Sequence, residues 1–137
     1  MLKRFQPMSL QEMRPIFEKI KANCFNDGYC WLWEGARDSS GYAQKNIQGK
    51  SRSVSRFMLC YATHTPERLD YRNYKRDACH IIGCLYHHCV NPGHLFWGDH
   101  ATNCELRERE RQMRQEWLND HPEMAMWMAN LYQVQQV

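Results

Sequence analysis

Apolar positions along this chain fall into short runs whose period changes from element to element. Ile16, Phe17 and Ile20 recur at helical spacing in PIFEKIKAN, and proline suits a first helical position, so a helix is predicted from Pro15 to about Asn23. Ser9 and Glu12 stand at capping-box spacing, but a helix begun there would carry Pro15 six places in, where it removes a backbone donor. Residues 1–8 then read as a lead-in. Asn26-Asp27-Gly28 is turn chemistry, and the alternating aromatics of Tyr29 to Trp33 predict a strand. Ser39-Ser40-Gly41 turns the chain into a second strand, Tyr42 to Ile47, and Gln48-Gly49-Lys50 turns it again into Ser51 to Val54, which continues the sheet. Arg56 to Thr63 reads as a helix with Phe57, Leu59 and Cys60 or Tyr61 inward. Pro66 to Arg76 is an irregular, tyrosine-rich connector, and Asp77 to Ile82 follows as a strand.

From Asp99 to Asn119 the pattern is a long polar helix with a thin apolar stripe, Leu106, Met113 and Trp117. Its surface carries Glu105 to Arg109 and Glu110 to Arg114 as i,i+4 pairs. His121-Pro122 ends it, and Pro122 to Val134 predicts a second helix with Met124, Trp127, Met128 and Leu131 on one face. That face packs on the domain itself or forms a homodimer contact. The elements together indicate an α+β fold, a small antiparallel sheet followed by C-terminal helices.

At 137 residues the chain is one domain, with a core over 14–119 and a helical extension over 120–137. The net charge of +3 is mild but uneven. Lys45, Lys50, Arg52, Arg56, Arg68, Arg72, Lys75 and Arg76 face only Glu67 and Asp70 between positions 45 and 76, a basic field suited to a phosphate backbone. Taken alone, such a run is more often a solvated surface. Seven cysteines are an odd number, and the opening MLKRFQPM has no apolar signal segment, so the thiols are expected to be reduced, intracellular and partly metal-bound. No stretch approaches the roughly 18 apolar residues of a membrane span.

The candidate chemistry lies between Cys79 and Asn103. Cys84, Cys89 and His94 form C-x4-C-x4-H, three ligands at a pitch that lets one loop fold around a tetrahedral zinc. Asn91-Pro92-Gly93 supplies the turn inside it. Such a loop buries no core of its own, so metal coordination is expected to order it. Three ligands need a fourth, and Cys30, carried in on the Tyr29 to Trp33 strand, is the candidate. A buried core cysteine is the bland alternative, but three ligands short of a fourth favour the ligand reading, with Cys24, Cys60 and Cys79 as substitute ligands.

CVNPGHL, then Trp97-Gly98-Asp99 and Asn103, resembles the zinc-bearing branch of the HNH endonucleases, the His-Me finger or ββα-metal family that includes the His-Cys box homing enzymes and phage HNH enzymes. The match extends upstream through Pro15-Ile-Phe-Glu-Lys-Ile, Tyr29-Cys-Trp-Leu-Trp-Glu-Gly35, Ser40-Gly-Tyr42 and Arg56, about residues 14 to 110 in all. The resemblance implies a zinc-knuckle ββα-metal motif with Cys30 as fourth zinc ligand, and DNA as substrate. It implies His80 as general base on water attacking a phosphodiester, and Asn103 holding a catalytic Mg2+. Arg52, before Arg56, is expected to steady the product phosphate, and Lys45, Lys50, Arg52 and Arg56 are expected to contact DNA from the basic ribbon. Asp99 is expected to cap the helix that carries Asn103.

One departure stands out. The family's base precedes the first knuckle Cys by two places, where this chain has Ile82, while His80 lies four before Cys84. The offset shifts the imidazole by about 6.6 Å unless a bulge absorbs it, and Gly83 is suited to that bulge. His87, His88 and His100 are the substitute bases, each with a plainer surface or phosphate-contact reading. The alternative function is a zinc-structured module of the same fold that binds DNA or protein without cutting.

Overall fold

The computed structural model describes residues 7–81, 84 and 86–123. Helix α1 spans Leu10–Ala22 and begins five residues before the proline expected to start it. Ser9 and Glu12 close the full reciprocal capping box, each side chain taking the other's backbone N–H at 3.1 Å. Met8 and Met13 flank this box at the positions of a hydrophobic staple and both are buried in the core. Pro15 is tolerated inside the helix because cap and staple hold the turn that its missing donor weakens. Ile20 is fully buried, and Ile16 and Phe17 pack partly buried against the core.

The strands do not form one continuous sheet. β1 (Cys24–Asn26) pairs antiparallel with β2 (Trp31–Trp33), β3 (Gln44–Ile47) with β4 (Lys50–Ser53), and β5 (Asp77–His80) with β6 (Leu95–Gly98). The named strands pair two by two, so three separate ribbons replace the expected sheet. Gln48 and Gly49 both take positive φ, 57° and 74°, the signature of the tight two-residue turn that joins β3 to β4.

Helix α2 (Val54–Ala62) is the centre around which these ribbons sit. Ser53 caps it by accepting from the Arg56 N–H, and Val54, Phe57, Met58, Leu59 and Cys60 are all buried. After a 3-10 turn at Pro66–Leu69, the chain reaches β5, then the cysteine-rich loop, then β6. Helix α3 (His100–Asp120) follows, capped as expected by Asp99, whose carboxylate accepts from the Thr102 N–H at 2.7 Å. Its surface pair among the described side chains is Glu108 with Arg111 at 2.8 Å. His121 ends the helix by bonding the Trp117 carbonyl at 2.9 Å, with the two rings stacked. The proposed bulge at Gly83 and the apolar face of Met124, Trp127, Met128 and Leu131, with its dimer contact, lie outside the described residues. Among the described residues no helix is long and apolar enough to cross a membrane.

Candidate metal centre and adjoining cleft

Three local devices bring Cys30 to the knuckle. Asp27 accepts the N–H groups of Tyr29 and Cys30 at 2.9 and 2.6 Å, fixing the turn before the cysteine. β2 then runs beside the knuckle, with Trp33 N donating to the His88 carbonyl at 2.9 Å and Val90 N to the Trp31 carbonyl at 2.8 Å. Asn91 shapes the knuckle's own turn by accepting from Gly93 N and reaches across to the Tyr29 carbonyl, both at 2.9 Å. The Tyr29 ring covers His94 at 4.1 Å.

The outcome is a buried cluster of Cys30, Cys84, Cys89 and His94 whose ligand atoms all lie within 4.8 Å of one another. Tetrahedral zinc with ordinary bond lengths requires S···S edges of about 3.8 Å and S···N edges of about 3.6 Å. The observed Cys30–Cys84 edge is 4.0 Å, and His94 Nδ1 stands 3.8 Å from Cys30 and 3.5 Å from Cys89. The donor set and these three edges fit, so the cluster could hold a metal ion such as zinc. Burial pushes the Cys30 thiol up to about 12, and the bond to Cys89 pushes Cys84 up, while donation from Cys84 pulls Cys89 down to about 5. Three adjacent buried sulfurs cannot all ionise without a cation among them. The substitutes stand apart: Cys24 bonds the Ile20 carbonyl, Cys60 is in the α2 core, and Cys79 lies under Gly98.

His80 closes β5 beside this cluster. It is 8 % exposed, and its Nε2 lies 2.9 Å from the Cys89 carbonyl oxygen. Burial lowers its pKa from the usual value, against the opposing effect of that carbonyl. Tyr42 lies 6.2 Å from it, ring to ring, with His87 stacked on Tyr42 at 4.6 Å and the Arg107 guanidinium over the same ring at 4.6 Å. His88 is held neutral by burial, its pKa lowered to about 4.

A cleft of about 520 Å³ opens between β5, α2 and α3, lined by Tyr42, Ser55, Asp77, His100, Asn103 and Arg107 among others. Asn103 is 4 % exposed, and its Nδ2 donates to Asp77 Oδ2 at 3.0 Å. A carboxylate only accepts, so the amide orientation is settled and Asn103 Oδ1 is the free acceptor. The same Asp77 oxygen takes a hydrogen bond from His100 Nδ1 at 3.0 Å. Ser55 is 4 % exposed, and its hydroxyl is buried without a partner on this wall. His80 is not among the lining residues.

The basic candidates divide. Lys50 is exposed, Lys45 lies 6.0 Å over the Trp33 ring, and Arg52 bonds the Ile47 carbonyl at 3.2 Å. Arg56 spends its guanidinium on the chain itself, donating to the carbonyls of Arg68, Leu69, Tyr74 and Arg76 and stacking over Trp97 at 5.1 Å. Sequence reasoning missed Asp77, Ser55 and Arg107. Asp77 was the most accessible of these, since it starts the strand that bears His80, but its partner on α3 is invisible until strand and helix dock. No family model, curated protein or solved structure matches this chain.

Proposed function

We propose that this chain is a metal-dependent DNA endonuclease of the HNH type, with zinc tying Cys30, Cys84, Cys89 and His94 together. The observation that carries the reading is the bond between His80 Nε2 and the Cys89 carbonyl. A carbonyl has no proton to give, so Nε2 bears the hydrogen and Nδ1 keeps the lone pair that a general base needs. His80 then takes a proton from water attacking a phosphodiester, leaving 3′-hydroxyl and 5′-phosphate ends. The knuckle that sets Cys89 therefore also sets the base, although two residues more than usual separate His80 from Cys84.

Asn103 Oδ1 and phosphate oxygens would hold a divalent cation, Mg2+, with Asp77 fixing the amide. A cation held there would supply charge stabilisation to the phosphate and the leaving oxygen. Ser55 offers an unpaired hydroxyl to a polar ligand in the same cleft, and Arg107 brings positive charge beside it. Arg52 is the residue assigned to the product phosphate, and Lys45 and Lys50 extend the contact to the DNA backbone. Four protein ligands leave a zinc no open position, so its chemistry is structural.

A second reading, a DNA-binding module that does not cut, is favoured by the burial of His80 and its place off the cleft lining. Supercoiled plasmid incubated with zinc-loaded protein separates them. Nicked or linear circles with Mg2+ and none with EDTA are expected. A gel shift without any conversion would overturn the nuclease and leave the binding module.

A further inference from the structure

We propose a second metal site, a two-residue clip of His100 and Cys104 on the first turns of α3, for a thiophilic divalent cation such as Zn2+. The two residues are four apart, so they share one helix face, and Cys104 Sγ lies 3.7 Å from His100 Nε2. Tetrahedral zinc bound by one sulfur and one imidazole nitrogen spans an edge of about 3.6 Å, so the pair already stands at ligand spacing.

The tautomer is set for this role. Asp77 Oδ2 accepts from His100 Nδ1 at 3.0 Å, which leaves Nε2 as the lone-pair nitrogen facing the thiol. A carboxylate behind a ligating histidine orients the ring. Both residues are exposed, so a cation enters without opening the core, and water completes its shell. Binding replaces the Cys104 thiol proton with the metal and releases that proton to solvent. Of the arginines on the neighbouring surface, Arg76 meets Asp99 at 3.6 Å and Arg107 lies over the Tyr42 ring at 4.6 Å. The clip differs from the buried cluster in its exposure and in having two protein ligands in place of four. It also draws on the carboxylate that orients Asn103, one residue before Cys104.

Zn2+ titration of the full chain with a metal-sensitive dye competitor tests the clip independently of any nuclease activity. The intact protein is expected to take two equivalents, one resistant to a mild chelator and one removed by it. Cys104→Ser and His100→Ala each keep only the resistant equivalent, which also shows that they are folded. Asp77→Ala keeps both sites but weakens the labile one by roughly 10- to 100-fold. A single equivalent in the intact protein, or two undiminished equivalents in Cys104→Ser, would overturn the clip.

Discussion

The imidazole of His80 bonds through Nε2 to the main-chain carbonyl of Cys89 at 2.9 Å, so the proposed base is anchored to a residue of the metal cluster. His80→Ala is expected to lower plasmid nicking by roughly 10²- to 10⁴-fold, the usual contribution of a general base. Its gel shift on the same DNA should be unchanged, because the basic ribbon is untouched. Metal content measured on the same sample checks that the knuckle is intact. Equal nicking by the two proteins would remove His80 from the reaction.

The cluster's contribution to folding is testable without DNA. The metal proposed for the cluster is expected to supply much of the order of the Cys84 to His94 loop. Stripping the metal with a strong chelator, or replacing Cys30 with Ser, is expected to abolish the near-ultraviolet circular dichroism of Trp31 and Trp33 beside the knuckle. Cys24→Ser should keep both metal and signal, because Cys24 faces the Ile20 carbonyl and lies outside the cluster. An unchanged spectrum in Cys30→Ser would mean that the site orders without its fourth ligand.

What the sequence made legible follows from how local each constraint is. Cys84, Cys89 and His94 were readable because their spacing along the chain is the geometric requirement itself. Cys30 needed a strand to carry it across, and the bonds of Trp31 and Trp33 to the knuckle that place it cannot be seen in a linear pattern. The start of α1 was misplaced because the penalty at Pro15 is local while its compensation, Met8 and Met13 buried in a shared core, is tertiary. β1 and β6 were not identified because turn signals crowd them: Cys24 to Asn26 runs into Asn26-Asp27-Gly28, and Leu95 to Gly98 lies between Asn91-Pro92-Gly93 and the Asp99 cap. Asp77 gains its role only when β5 docks on α3, and a run of basic residues does not reveal that Arg56 faces inward.

Arg56 and Lys50 make a contrasting pair. Arg56 donates to four carbonyls of the 66–76 connector, so Arg56→Ala leaves acceptors unpaired and is expected to cost about 2–4 kcal/mol of stability. Arg56→Lys recovers little, since a point charge cannot reproduce the fork. Lys50→Ala is expected to leave the melting temperature unchanged, weaken DNA binding across all sequences and reduce the salt slope by about one. Denaturant melts beside salt-dependent gel shifts measure both. A stable Arg56→Ala with weakened DNA binding would reverse the assignment.

Helix α1 offers a test of the proline account. Pro15 is exposed and lies inside the helix, where proline is about 3 kcal/mol worse than alanine. Proline also restricts the unfolded chain, which offsets about 0.4–1 kcal/mol of that difference. Pro15→Ala is therefore expected to raise stability by about 2 kcal/mol, and Ser9→Ala to lower it by about 1 kcal/mol through loss of the cap. Urea melts of the two variants decide the matter. Destabilisation by Pro15→Ala would mean that the ring makes a packing contribution larger than its backbone cost.

The turn after the 3-10 segment gives a pH dependence whose sign is fixed. Asp70 accepts hydrogen bonds from the Arg72 guanidinium and from the Arg72 N–H, and these hold its pKa below the usual carboxylate value. A carboxyl depressed in the folded state favours folding above its unfolded pKa of about 3.9 and loses that contribution as pH falls through the folded value. The melting-temperature difference between the natural protein and Asp70→Asn should therefore be constant from neutral pH down to about 4 and shrink below it. Taking the difference between two proteins with the same cysteines and histidines cancels the titration of those groups, which both share. A difference that widens in acid would mean that the protonated carboxyl, and not the carboxylate, is the form the turn prefers.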